Sequence, residues 1–248
     1  MINKRILSIG CLLLSLKAQA LVPPQYQEPA TGLTAEVEAG LQLNTGNTQS
    51  TSFNGRTRLI YDTKKAKQEA LLKAYFASDS EKTTAEKYDV QLQSNYKVDS
   101  GYFFGRGEGT WDEFGSYTRL YTGSVGYGFD AISSYATKLK LEIGPGYQYS
   151  LAKATTTEPD PDANTDVIVR AAAKFEQRIH EYSSFTADLT AETGQNNSAV
   201  TLDMGYKNIL FQDLAFKVGM NVKYTEVVPD GTEQVDTVTT FNLLYTFQ

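Results

Sequence analysis

The residues able to do acid–base or electrostatic work are carboxylates, lysines and arginines, and they recur at strand spacing. Glu36 and Glu38 stand two residues apart, Asp188 and Glu192 four apart. Either spacing puts both carboxylates on one face of a strand, because successive side chains alternate. A carboxylate pair could serve general acid–base chemistry, but alternation alone also explains the placement. Nucleophilic and metal chemistry find less support. The chain holds one histidine, His180, and one cysteine, Cys11, and it has no Gly-x-Ser-x-Gly elbow. One imidazole cannot build a histidine-based metal centre, and no base stands ready for a serine nucleophile. The expectation is a protein that is not an enzyme and carries no metal site and no cofactor.

A larger charged set points elsewhere. Glu36, Glu38, Arg56, Arg58, Lys73, Asp89, Arg106, Glu108, Lys140, Glu142, Arg170, Lys174, Asp188, Lys217 and Lys223 all sit within alternating stretches. The clearest stretch sets Leu214, Phe216, Val218, Met220, Val222 and Tyr224 against Ala215, Lys217, Gly219, Asn221 and Lys223. Such a period of two marks a strand whose faces meet different surroundings. If the apolar faces meet lipid, these charged residues line a lumen. Opposed acidic and basic walls would then set up a field across it.

The elements that must position them are twelve alternating segments: 33–45, 50–62, 68–78, 86–98, 102–111, 117–129, 137–151, 166–177, 183–192, 198–207, 213–226 and 236–247. Globular strands average about 5 or 6 residues, whereas a tilted membrane strand needs about 9 to 11. The lengths therefore predict an all-β, membrane-embedded antiparallel up-and-down β-barrel of about 12 strands. A soluble barrel of lipocalin type would turn the apolar face inward instead.

Aromatic residues cluster near strand ends, among them Tyr61, Tyr96, Tyr102, Phe103, Phe104, Trp111, Phe129, Tyr147, Tyr149, Phe211, Tyr224, Tyr245 and Phe247. Rings at both rims suit a bilayer interface. Gly105, Gly107 and Gly109 share one strand face and are expected to allow curvature or close approach. Gly144-Pro145-Gly146 reads as a bulge or kink, because proline offers the ladder no donor. Asn44 to Thr48 reads as a tight outer turn, with Gly46 and Asn47 suited to positive φ.

The N-terminus sets the compartment. Met1 to Arg5 is basic, Ile6 to Leu16 is mostly apolar, and Ala18-Gln19-Ala20 offers a small-x-small cleavage site. That layout is a secretory signal peptide, and the apolar run is far shorter than the roughly 20 residues a membrane helix needs. The expected organisation is a cleaved signal at 1–20, a polar periplasmic leader at 21–32 and a barrel at 33–248. Loss of Lys4, Arg5 and Lys17 leaves 20 basic against 29 acidic residues, which offers nothing to nucleic acid. Loss of Cys11 removes the single cysteine, so disulfides play no part.

The stretches Leu41-Gln42-Leu43-Asn44-Thr45-Gly46-Asn47-Thr48, Tyr102-Phe103-Phe104-Gly105-Arg106 leading to Asp112-Glu113-Phe114, and Leu141-Glu142-Ile143-Gly144-Pro145-Gly146-Tyr147 occur in this order. In them the chain resembles the family of salt-induced outer membrane proteins, domain of unknown function 481, over about 35–248. The resemblance implies a Gram-negative outer-membrane barrel of unassigned molecular activity, and it supplies no catalytic residues. The acidic stretch Glu158-Pro159-Asp160-Pro161-Asp162 departs from it.

The expected location is the bacterial outer membrane. The expected partners are its lipid and lipopolysaccharide, and the barrel-assembly machinery, for which Phe241, Leu243, Tyr245 and Phe247 resemble a terminal signal. Closure removes free edges, so a monomer suffices. Two functions stay open. One is a porin-like channel passing small polar or ionic solutes through a charged lumen. The other is a barrel closed by its own ion pairs, with a structural or envelope-stress role and surface binding through outer loops. Asp160, Asp162, Asp166, Asp230 and Glu233 could attract calcium, or simply form solvated acidic loops.

Overall fold

The computed structural model describes residues 32–45, 50–79, 82–115, 117–154, 161–228 and 233–247. The expected signal peptide, nearly all of the leader and the turn at Gly46 and Asn47 lie outside the described residues. The described chain forms twelve strands: β1 (Gly32–Thr45), β2 (Ser50–Asp62), β3 (Ala66–Asp79), β4 (Lys82–Val98), β5 (Gly101–Asp112), β6 (Tyr117–Ser133), β7 (Thr137–Ala152), β8 (Ala163–His180), β9 (Ser183–Thr193), β10 (Ser198–Ile209), β11 (Leu214–Thr225) and β12 (Val235–Phe247). Each pairs antiparallel with its sequence neighbours, and β1 pairs with β12 from Ala35↔Phe247 to Thr45↔Thr237, which closes the barrel.

Several strands outrun their apolar alternation. β4 begins at Lys82, β6 runs on to Ser133, and β8 spans Ala163 to His180. Ladder bonds need only backbone groups, so polar rim residues extend pairing that hydrophobic spacing does not mark. β6 does so past a bulge between Asp130 and Ile132. Turns at one end are short, at 63–65, 99–100, 134–136, 181–182 and 210–213, while the other end holds the long connections 153–162 and 226–234. Strand ends brace the neighbouring short turns: the Lys97 amide of β4 donates to the Lys65 carbonyl at 2.8 Å, and the Arg178 amide of β8 to that of Ala136 at 2.7 Å.

Burial runs opposite to that of a soluble protein. Val167 is 66% exposed and Val125 61%, whereas Arg170 is 1% and Glu38 3% exposed. An apolar belt around the outside with charges inside is what a strand wall needs when lipid surrounds it.

Alternation also corrects part of the aromatic assignment. Tyr102 and Phe104 were expected at a rim, but both are buried on the inward face, and only Phe103 between them is exposed. Arg106 points inward two residues further on, so the even positions of β5 face the interior. No bulge stands at Pro145. Gly144↔Arg170, Pro145↔Val169 and Gly146↔Ile168 continue the β8 register, and on the β6 side Ser124↔Gly146 and Tyr127↔Ile143 keep one register. Glycine does the fitting there: a Cβ at Gly144 would stand 2.0 Å from the Val125 carbonyl oxygen, and one at Gly126 2.2 Å from that of Ile143. The close approach expected around Gly105 and Gly107 is absent, since a Cβ at either would meet nothing within 4 Å.

Candidate channel lumen

Two carboxylates organise the inward face. Glu38 on β1 accepts from Arg56 Nη1 of β2 at 2.6 Å, Lys217 Nζ of β11 at 2.8 Å and Asn242 Nδ2 of β12 at 2.9 Å. Four consecutive strands thus meet at one acid. Glu142 on β7 accepts from Arg170 Nη1 and Lys174 Nζ of β8, each at 3.0 Å, from Gln93 Nε2 of β4 at 2.9 Å and from the Tyr102 hydroxyl of β5 at 2.9 Å. Gln93 Oε1 in turn accepts from Arg106 Nη1 at 3.1 Å, and Arg106 pairs with Glu108 at 2.8 Å. Contacts between strands that are not neighbours require both side chains on the concave face.

The other expected residues join smaller groups. Arg58 bridges Glu69 at 2.8 Å and Glu36 at 3.7 Å. Asp89 accepts from the Thr110 hydroxyl at 2.6 Å and lies in the field of Lys73, Lys87 and Lys223. Lys140 pairs with Asp130 at 3.4 Å near the short-turn end. Asp188 lies opposite Asp203 in register and interacts with Lys174, Arg58 and Glu69. β9 stands six places round the closed sheet from β3, so Asp188 and Glu69 lie on opposite walls of the bore. Both signs are spread round the wall, with like-charged neighbours at Asp188↔Asp203 and Lys140↔Lys174 and local ion pairs at Arg56–Glu38 and Arg170–Glu142, in place of the two opposed faces expected.

Gln93, Tyr102 and Asn242 were missed as members of these networks. The alternation that marks Arg106 would also have placed Tyr102 inward; for the two amides only their buried, paired surroundings reveal a role. Several lumen charges nevertheless reach water: the side chains of Arg58, Lys174 and Glu108 are 31%, 30% and 39% exposed.

At the long-loop end, Asn197 ties connections together. Its Oδ1 accepts from the Val227 amide at 2.9 Å, while its Nδ2 donates to the Val227 carbonyl at 2.8 Å and to the Tyr117 hydroxyl at 3.3 Å. Asp166 Oδ2 accepts from the Asn196 amide at 2.8 Å, so this carboxylate organises a loop. Asp160 and Asp230 lie outside the described residues, and among the described residues no group of three or more potential ligands could hold a metal ion.

The family model described as protein of unknown function, DUF481, matches residues 37–247. The chain belongs to this family. No curated protein matches the DUF481 chain. Its solved structural neighbours include the NanC porin, at 13% identity and TM-score 0.54, covering 85% of this chain and 98% of that one. An outer membrane channel from Pseudomonas putida F1 is similar at 10% identity and TM-score 0.53, covering 92% and 100%. The translocator domain of the autotransporter NalP from Neisseria meningitidis reaches 13% identity and TM-score 0.52, covering 88% and 90%. At such identities the likeness concerns fold: the DUF481 chain is an outer-membrane-type β-barrel, an architecture that these neighbours put to different uses.

Proposed function

We propose that this DUF481 protein resides in the bacterial outer membrane and is a channel for small polar or ionic solutes, with no enzymatic activity. One observation carries this reading: Arg58, Lys174 and Glu108 keep about a third of their side-chain surface exposed inside a closed wall. A bore packed solid with ion pairs would bury those groups. Paired charges of both signs hold the lining in place, while the exposed ends offer hydrated solutes replacement contacts along the path. Because both signs line the wall, the channel discriminates weakly between anions and cations. The porin and the outer membrane channel among the structural neighbours are in keeping with it.

The competing reading, a closed barrel, draws on Glu142 and Arg170, which are fully buried and bonded to groups on β4, β5 and β8. Planar-bilayer recording of the purified, heat-modifiable protein separates the two. Stable conductance steps with a small reversal potential are expected; silence from correctly folded protein would favour the closed barrel.

A further inference from the structure

The outward wall of β5, β6 and β7 carries a combination that conduction does not use. Arg119 on β6 shares the outward face with Tyr121, Gly123 and Val125, and it is exposed. Among strand residues whose side chains are described, it is the one basic group on that face. Its cross-strand partners are Trp111 and Leu151. Two residues beyond Leu151, Lys153 is exposed in the long connection, with Nζ 5.5 Å from the Phe114 ring centre. Next along the strands lies an aromatic shelf, Trp111 against Tyr121 at 5.4 Å and Tyr121 stacked on Tyr149 at 5.8 Å.

Beyond the shelf the wall is hollow. Gly107 and Gly123 are cross-strand partners, and a Cβ on either would meet nothing within 4 Å. The same glycine row runs on to Gly105, at the edge of an outward hollow of about 450 Å³ that extends away from this wall over β4 to β1, toward the short-turn end, among Leu33, Leu59, Tyr61 and Leu92. Arg119 and Gly123 are four residues apart, about 13 Å along the strand at roughly 3.3 Å per residue. Cations at the rim, rings next and the bare Gly107–Gly123 surface deeper match, in order, the phosphates, the glycan–acyl junction and the acyl chains of a lipid.

From this order we infer that the β5–β7 wall is a binding site for a phosphorylated, multiply acylated glycolipid of the outer leaflet, the lipid A portion of lipopolysaccharide. The inference rests on the outer-membrane reading above, which turns the long-loop end toward the outer leaflet. A charge on a lipid-facing wall is unfavourable unless it reaches water or an anion. Arg119 and Lys153, on adjacent elements, give a glycolipid with two phosphates a better fit than a phospholipid with one.

The test uses the folded full-length barrel in detergent, with diphosphoryl lipid A, its dephosphorylated form and phosphatidylglycerol as probes and native mass spectrometry as the readout. Diphosphoryl lipid A is expected to remain bound, and the pair Arg119→Gln with Lys153→Gln to weaken retention at least tenfold. Gly107→Leu, which fills open space without touching a charge, should also weaken it. Equal retention by the wild type and the double variant would overturn the site, as would equal retention of phosphatidylglycerol. Arg119 faces away from the lumen, so conductance steps of the Arg119→Gln single variant are expected to match the wild type. Absence of steps in both, with lipid A still retained selectively, would count against the channel alone.

Discussion

Glu142 is fully buried and holds Arg170 and Lys174 in place, so its charge cannot be removed without stranding two cations. Breaking a buried pair by deleting one partner costs about 3–5 kcal/mol. Glu142→Gln is therefore expected to lower the midpoint of urea unfolding in lipid vesicles sharply. Glu38→Gln should cost less, because its partners Arg56 and Lys217 keep contact with water. Arg58 and Lys174 present their exposed surface to the bore, so charge reversal there acts on solutes. Lys174→Glu is expected to move the reversal potential in a salt gradient toward that of a cation-selective pore; an unchanged potential would remove Lys174 from the path.

Among the elements, β6 and β7 meet backbone to backbone at Gly126 and Gly144. Gly126→Val is expected to block this pairing and leave protein that is no longer heat-modifiable, whereas Gly105→Ala, facing open space, should fold as the wild type does. At the mouth, Asn197→Ala removes the ties to Val227 and Tyr117. Faster hydrogen exchange at the Val227 amide and larger or noisier conductance steps are the expected result. The strands themselves were legible in sequence because a period of two with lipid on one side leaves an unbroken apolar row, and β2 was placed to the residue. Rim extensions in β4, β6 and β8 were not, since polar residues there join the ladder through backbone groups alone. Lumen charges were legible from parity, but their partners were not. Glu142 meets Gln93 across 49 residues of chain, and only barrel closure and tilt decide such a pairing.

Across the whole barrel, polarity is turned inside out: apolar rows toward lipid, charges toward water within. The chain's single cysteine, Cys11, lies in the expected signal peptide, so protein expressed from residue 21 offers a cysteine-free background. One cysteine is then placed at Glu108 and, in a second variant, one at Val125. Both barrels are reconstituted in vesicles and treated with a membrane-impermeant, positively charged thiol reagent. The Glu108→Cys barrel is expected to react within minutes and to show altered conductance, while Val125→Cys stays unreactive and a fluorophore coupled there beforehand is quenched by brominated lipid. Rapid reaction at position 125 together with protection at position 108 would contradict the orientation of every strand and, with it, the lumen.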